Sequence, residues 1–152
     1  MFGFLRAAGV EPIEWSKALL LTKSGSPHIS EVLEAAFRKA RAVVVMLTPD
    51  DEARLRDEFV RKDDPSWETK LRGQARPNVI FEAGMAFGTH QRHTILVEFG
   101  KLRPISDLAG RHTVRMDGTI DKRQELMTKL EAAGCDVDWP GSDWKREGDF
   151  RL

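Results

Sequence analysis

The chain is 152 residues long, with 24 basic against 24 acidic side chains, 41% hydrophobic and 32% charged residues, and one cysteine. This length fits one domain able to bury roughly 70% of its unfolded surface without staples, and the balanced charge supplies no field to steer it toward nucleic acid or an anionic membrane. The lone Cys135 excludes an intramolecular disulfide and a cysteine-cluster metal site, and no apolar run approaches the ~20 residues that span a bilayer, so a soluble cytoplasmic protein without a metal is expected.

Phe2 to Ala8 reads as the end of a helix, with Phe2, Leu5 and Ala8 on one side and Gly9 as its left-handed stop. Val10 to Trp15 predicts a short strand, followed by a loop whose Leu19, Leu20 and Leu21 are apolar enough to pack. Ser26 and Pro27 open a helix with an apolar stripe at Ile29, Val32, Leu33, Ala36, Phe37 and Ala40. Ala42 to Leu47, AVVVML, is continuously apolar and rich in β-branched residues, which predicts a central strand buried on both faces. Thr48, Pro49, Asp50 and Asp51 end it. From there to Arg76 charges dominate, and a surface insertion with one short helix is expected, anchored by Leu55, Phe59 and Trp67.

Gln74 to Gly88, QARPNVIFEAGMAFG, holds one carboxylate, Glu82, inside an apolar helical run. Pro77 pre-sets φ and Asn78 is a capping type, so a helix should start here, with Val79, Ile80, Ala83, Ala86 and Phe87 on one face. Glu82 falls on the flank of that face and is assigned to the first turn, where the macrodipole favours an anion. Gly84 and Gly88 lower helix propensity and suggest close packing on a sheet. Complementing the dipole would by itself explain Glu82; a site residue is the other explanation.

Thr94 to Val97 predicts a second buried strand, Ser106 caps a short turn, and His112 to Met116 reads as an edge strand. Asp117 and Gly118 turn the chain into a helix, Ile120 to Ala133, with Leu126, Met127, Leu130 and Ala133 inward and Gly134 at its end. The domain is therefore expected over residues 1–137, with a polar, loosely held tail over 138–152. Alternating helices and strands predict an α/β fold: a parallel sheet with helices on both faces. Ligands of such sheets bind at the carboxyl ends of the strands, so Glu82, Trp15, Thr48, Asp50 and Glu98 should gather on one rim.

LTPDD after an apolar strand, then QARPNVIFEAGMAFG, TILVE and ISDLAGRHTVR, resemble the bacterial Toll/interleukin-receptor-like (TIR-like) predicted nucleotide-binding domains, which include effector domains of cyclic-nucleotide-triggered antiphage systems. The likeness covers nearly all of the chain up to about Val137. It implies a flavodoxin-like sheet and, in active members, cleavage of NAD to nicotinamide and an ADP-ribose product, with NAD as substrate and no cofactor. The family's catalytic glutamate corresponds to Glu82. Family members open with a strand that would lie between Val10 to Trp15 and Ala42 to Leu47, whereas this chain opens in the helix that follows it.

The chemistry of the residues agrees with that assignment. Nicotinamide leaves as a neutral molecule from a cationic ring, so one carboxylate suffices to hold the ribose hydroxyls and stabilise the oxocarbenium-like charge. As substrate-binding residues, Trp15 would face a flat ring, Thr48 and Asp50 would bond sugar or amide groups, and Asp107 would close the rim. Each has a plainer role too: Trp15 a core aromatic, Asp50 a cap, Asp107 helix-start chemistry beside Ser106. The expected partners are NAD or a related nucleotide and other copies of the chain through TIR–TIR contacts, with no nucleic acid and no membrane. Alternative functions are a non-catalytic TIR-like scaffold, a nucleoside deoxyribosyltransferase-like enzyme and, most remotely, a response-regulator receiver with its Asp at Asp50.

Overall fold

The computed structural model describes residues 1–150 and runs α1 (Phe2–Ala7), α2 (Trp15–Leu21), α3 (Ile29–Lys39), β1 (Val43–Leu47), β2 (Asp51–Ala53), α4 (Ser66–Thr69), β3 (Arg72–Gln74), α5 (Pro77–His90), β4 (Thr94–Phe99), β5 (Val114–Met116) and α6 (Ile120–Ala132). The main sheet has the order β1-β4-β5, and both pairs are parallel. Register runs from Val43 opposite Thr94 to Leu47 opposite Glu98, and from Val97 opposite Val114 to Phe99 opposite Met116. This is the parallel α/β architecture that the alternation implies, with helices on both faces.

Side chains alternate across a strand, so each strand feeds two cores. Ile95, Val97, Phe99, Val114 and Met116 pack with Phe4 and Leu5 of α1 and Leu126, Met127 and Leu130 of α6. On the opposite face Val45, Leu47 and Leu96 meet Ala83 and Ala86 of α5, with Val79, Ile80, Phe87 and Phe37 of α3 around them. The helices start where local chemistry allows. Glu31 accepts the His28 N–H at 2.7 Å ahead of α3, so that helix begins two residues after the expected Pro27, and Ile29 stays exposed in its first turn. The Thr119 hydroxyl caps α6 by accepting from the Lys122 N–H.

Several expectations are corrected. Val10 to Trp15 forms no strand: Val10 N–H is taken by Leu5 O at 2.9 Å as the exit of α1, Pro12 has no N–H to give, and Trp15 already opens α2. With no ladder partner beside it, so short a segment gains nothing from being a strand. For the same reason β1 is an edge rather than the centre; β4 takes that place, and Met46 on β1 remains 38% exposed. Between β1 and the extended Val10–Ile13 segment lies an apolar groove of about 530 Å³, lined by Phe2, Leu5, Phe37, Val44 and Met46. The charged insertion holds an antiparallel hairpin, β2 with β3, besides the short helix α4.

The stretch after Val137 is packed rather than loose. Trp144 and Phe150 are buried in the larger core, and the ring of Phe150 meets Phe4 edge-on at 5.7 Å. The buried Arg123 organises this: its guanidinium donates to the carbonyl oxygens of Gly118 at 3.0 Å, Trp144 at 3.1 Å, Gly148 at 2.8 Å and Glu147, and lies 4.5 Å from the Phe150 ring centre. Burial lowers its pKa, partly opposed by the charge of Glu147, yet a guanidinium stays charged, and four carbonyl oxygens accept its hydrogen bonds. Arg151 and Leu152, the end of the expected tail, lie outside the described residues. Cys135 is buried, and desolvation pushes its thiol up, away from the reactive thiolate. Among the described residues no helix is long and apolar enough to cross a membrane.

Candidate functional site

α5 carries Glu82 along the edge of the sheet's smaller core. Pro77 occupies its first turn as expected, but Arg76 rather than Asn78 is the cap position, and no side chain caps it. Counting from Pro77, Glu82 is the sixth helical residue and so sits in the second turn, where the macrodipole has largely faded. It is half-buried, and it makes no hydrogen bond or ion pair with any described residue. Gly84 and Gly88 are exposed, and a methyl group at either would meet nothing within 4 Å. The close helix-to-sheet approach is made instead by Ala83 and Ala86, on the opposite side of α5.

Thr48 and Asp50 follow β1 directly and are brought together. The Thr48 hydroxyl donates to Asp50 Oδ2 at 3.0 Å, and Arg76 Nε lies 3.2 Å from the same oxygen. Asp50 thereby ties the end of β1 to the start of α5, which is the rim where a parallel sheet places its ligands. Trp15 stands at the start of α2 with half of its surface exposed. Asp107 lies exposed in a single 3-10 turn, Ser106–Leu108; Ser106 is not the cap expected of it, the cap position being Ile105.

A second feature of this rim is a cleft of about 600 Å³ next to α5. Its floor is a row of the sheet: Leu47, Glu98 and Arg115 are register partners on successive strands and point to one face. The walls come from β3 and from the 102–113 segment, with Trp67 of α4. Arg103 binds across the cleft wall, with Nη2 2.7 Å from Glu68 Oε2, Nη1 donating to Gln74 Oε1 at 3.3 Å and its backbone N–H to Gly73 O at 2.7 Å. Gly73 is required there: a Cβ would come within 2.5 Å of Pro49 Cβ and 3.2 Å of Lys101 O. Arg111 stacks 4.0 Å above the Phe87 ring of α5.

Of the residues singled out from sequence, Glu98 lines this cleft, while Glu82, Trp15, Thr48, Asp50 and Asp107 do not. Arg103, Arg111, His112 and Arg115 went unselected, although four basic residues within Leu102 to Arg115, directly after a buried strand, were a readable signal. Among the described residues no group of His, Cys, Asp or Glu is placed to hold a metal ion.

No curated protein matches the chain. The family described as CAP12/Pycsar effector protein, TIR domain, matches residues 1–118. That span takes in β1, the Glu82 helix, β4, the cleft-lining 102–113 segment and β5, the same parallel frame described above. The chain therefore belongs to the TIR domains of CAP12/Pycsar effectors, TIR-like effector domains of antiphage systems.

Proposed function

We propose that the domain hydrolyses NAD at the N-glycosidic bond to nicotinamide, with Glu82 as the catalytic carboxylate. The observation that carries this reading is the state of Glu82: a half-buried acid in an apolar stretch of α5 that no described residue engages by hydrogen bond or ion pair. A carboxylate with a purely structural role would be expected to have a partner. A local dielectric lowered by Val79, Ile80 and Ala83 strengthens its pull on developing positive charge. In the reaction the C1′–N bond breaks, its electron pair leaves with neutral nicotinamide, and the ribose ring passes through an oxocarbenium-like state that Glu82 stabilises. Water adds to C1′ and releases a proton, giving ADP-ribose. Thr48 and Asp50, held at the rim, are proposed to orient the sugar, with Trp15 against the flat ring and Asp107 at the mouth.

The test is Glu82→Gln. Nicotinamide release should fall by at least about 10²-fold, the scale of losing one preorganised electrostatic group, while the melting temperature is unchanged. A dipole-complementing glutamate in the second turn would instead cost well under about 1 kcal/mol of stability and leave turnover intact. A second reading, a scaffold that assembles with its own copies, is favoured by the unpaired outer edge of β1. It expects concentration-dependent association with no nicotinamide release from the parent chain. The lone buried thiol supports a reducing, cytoplasmic setting for either reading.

A further inference from the structure

The cleft beside α5 is not accounted for by the Glu82 chemistry, and its charge is unlike that of the rest of the molecule. Three arginines, Arg103, Arg111 and Arg115, and His112 line it against a single carboxylate among the described residues, Glu98, in a chain whose charges otherwise cancel. That one carboxylate is spent on Arg115, 3.5 Å away. Arg103 is held by Glu68 and Gln74 through its Nη atoms, but its Nε is buried with no acceptor. Arg111 pairs with no carboxylate among the described residues: its guanidinium carbon lies 4.0 Å from the Phe87 ring centre, and its guanidinium N–H donors have no acceptor among those residues. Donors left open in this way suit an oxyanion with several acceptor atoms, since a guanidinium bonds phosphate oxygens in pairs.

An oxyanion alone would not need the remainder of the cleft. Half-buried Trp67 forms part of the lining without contacting another aromatic ring, and Leu47, Ile105 and Leu108 make the surface beside it apolar. The volume, about 600 Å³, exceeds what a bare phosphate fills and falls in the range of small-molecule sites. A ligand that uses all of it has a multiply charged oxyanion at one end and a flat ring at the other. We propose that this cleft binds a nucleoside phosphate, its phosphate on Arg111 and Arg103 and its base on Trp67, at a site separate from Glu82. The inference stands whether or not Glu82 turns NAD over, because Glu82 does not line the cleft.

Isothermal titration of the full chain with AMP, adenosine and inorganic phosphate tests it. AMP should bind saturably and at least about tenfold tighter than either fragment, each half contributing on the scale of one charge-assisted bond or one stacked base. Arg111→Gln should weaken both AMP and phosphate by about tenfold or more, the loss of a charge-assisted pair. Trp67→Leu should weaken AMP by about tenfold and leave phosphate within about twofold, a difference that general unfolding cannot imitate. Glu82→Gln should bind AMP like the parent, which keeps this result apart from that of the turnover assay. The inference is overturned if AMP fails to saturate, if it binds no tighter than phosphate, or if folded Arg111→Gln and Trp67→Leu both bind it like the parent.

Discussion

The two faces of the sheet are built to different rules. The face under α1 and α6 is filled by large side chains with almost no exposure, Phe4, Leu126, Met127, Leu130, Trp144 and Phe150, and its one buried charge, Arg123, is compensated by carbonyl oxygens. The face under α5 is thinner. Its helix contributes alanines, Ala83 and Ala86, and the sheet beyond that helix is left for a cleft in which Arg103 Nε lacks an acceptor. At roughly 1.5–3 kcal/mol for each large apolar side chain fully buried, the first face supplies most of the stability. Among the described residues each face holds one buried side-chain polar atom without a partner, Trp144 Nε1 in the larger core and Arg103 Nε at the cleft, so the faces differ in bulk and in the open cleft, not in polar satisfaction.

Four substitutions sharpen or break that contrast. The largest loss of stability is expected for Arg123→Met, which leaves the carbonyl groups of Gly118, Trp144, Glu147 and Gly148 without their donor. About 3 kcal/mol should be lost, a drop of roughly 10 °C in Tm, with AMP binding at the cleft unchanged in the folded protein. If the cleft fails together with the clamp, the two faces are not independent. Gly73→Ala comes next, at about 2 kcal/mol, because its methyl collides with Pro49 and Lys101. Unlike the first change it should also weaken AMP, since Gly73 O holds the backbone of Arg103; a calorimetric titration separates the two effects.

Gly84→Ala should act the other way. The added methyl meets nothing, so helix propensity alone decides, and a gain of about 0.5–1 kcal/mol in chemical denaturation is expected. A loss there would mean that α5 packs on its outer side as well. The smallest effect is a pH dependence at the entry to α6. The Thr119 hydroxyl and N–H, at 2.7 and 2.9 Å, hold the Asp117 carboxyl below the usual carboxylate range. A group lowered in this way adds stability at neutral pH that disappears as pH falls below about 4 and through the folded pKa. Asp117→Asn should therefore flatten the decline of Tm between neutral and acid conditions; an unchanged slope would place the acid sensitivity elsewhere.

Much of this architecture was legible because it rests on periodicity. The strand β1, the stripe Leu126, Met127 and Leu130 of α6 with Ala133 just after it, and the inward face of α5 all follow from spacing, and all are found, although β1 lies at the sheet's edge and not at its centre. What failed depended on neighbours. Val10 to Trp15 has strand-like residues but no adjacent strand to pair with, and local composition does not carry that information. The segment after Val137 is polar by count, yet two aromatics, Trp144 and Phe150, decide its fate by filling the core around Arg123. Of the rim, Thr48, Asp50 and Glu98 could be placed from strand ends. The clustering of Arg103, Arg111 and Arg115 in sequence is readable, but their convergence on one cleft is not, since it depends on the path of the 102–113 segment back over the sheet.

The Arg123 clamp also decides how the molecule would carry mechanical load. Phe4 of α1 and Phe150 meet ring to edge, and the guanidinium holds the segment between Trp144 and Gly148 through its carbonyls. Both ends of the described chain therefore leave from one corner, on the side of the sheet away from α5. Tension applied between them would act directly on the Phe4–Phe150 contact and on the carbonyl bonds by which Arg123 holds the 144–148 segment. A tether at either end would thus draw on the region that supplies stability.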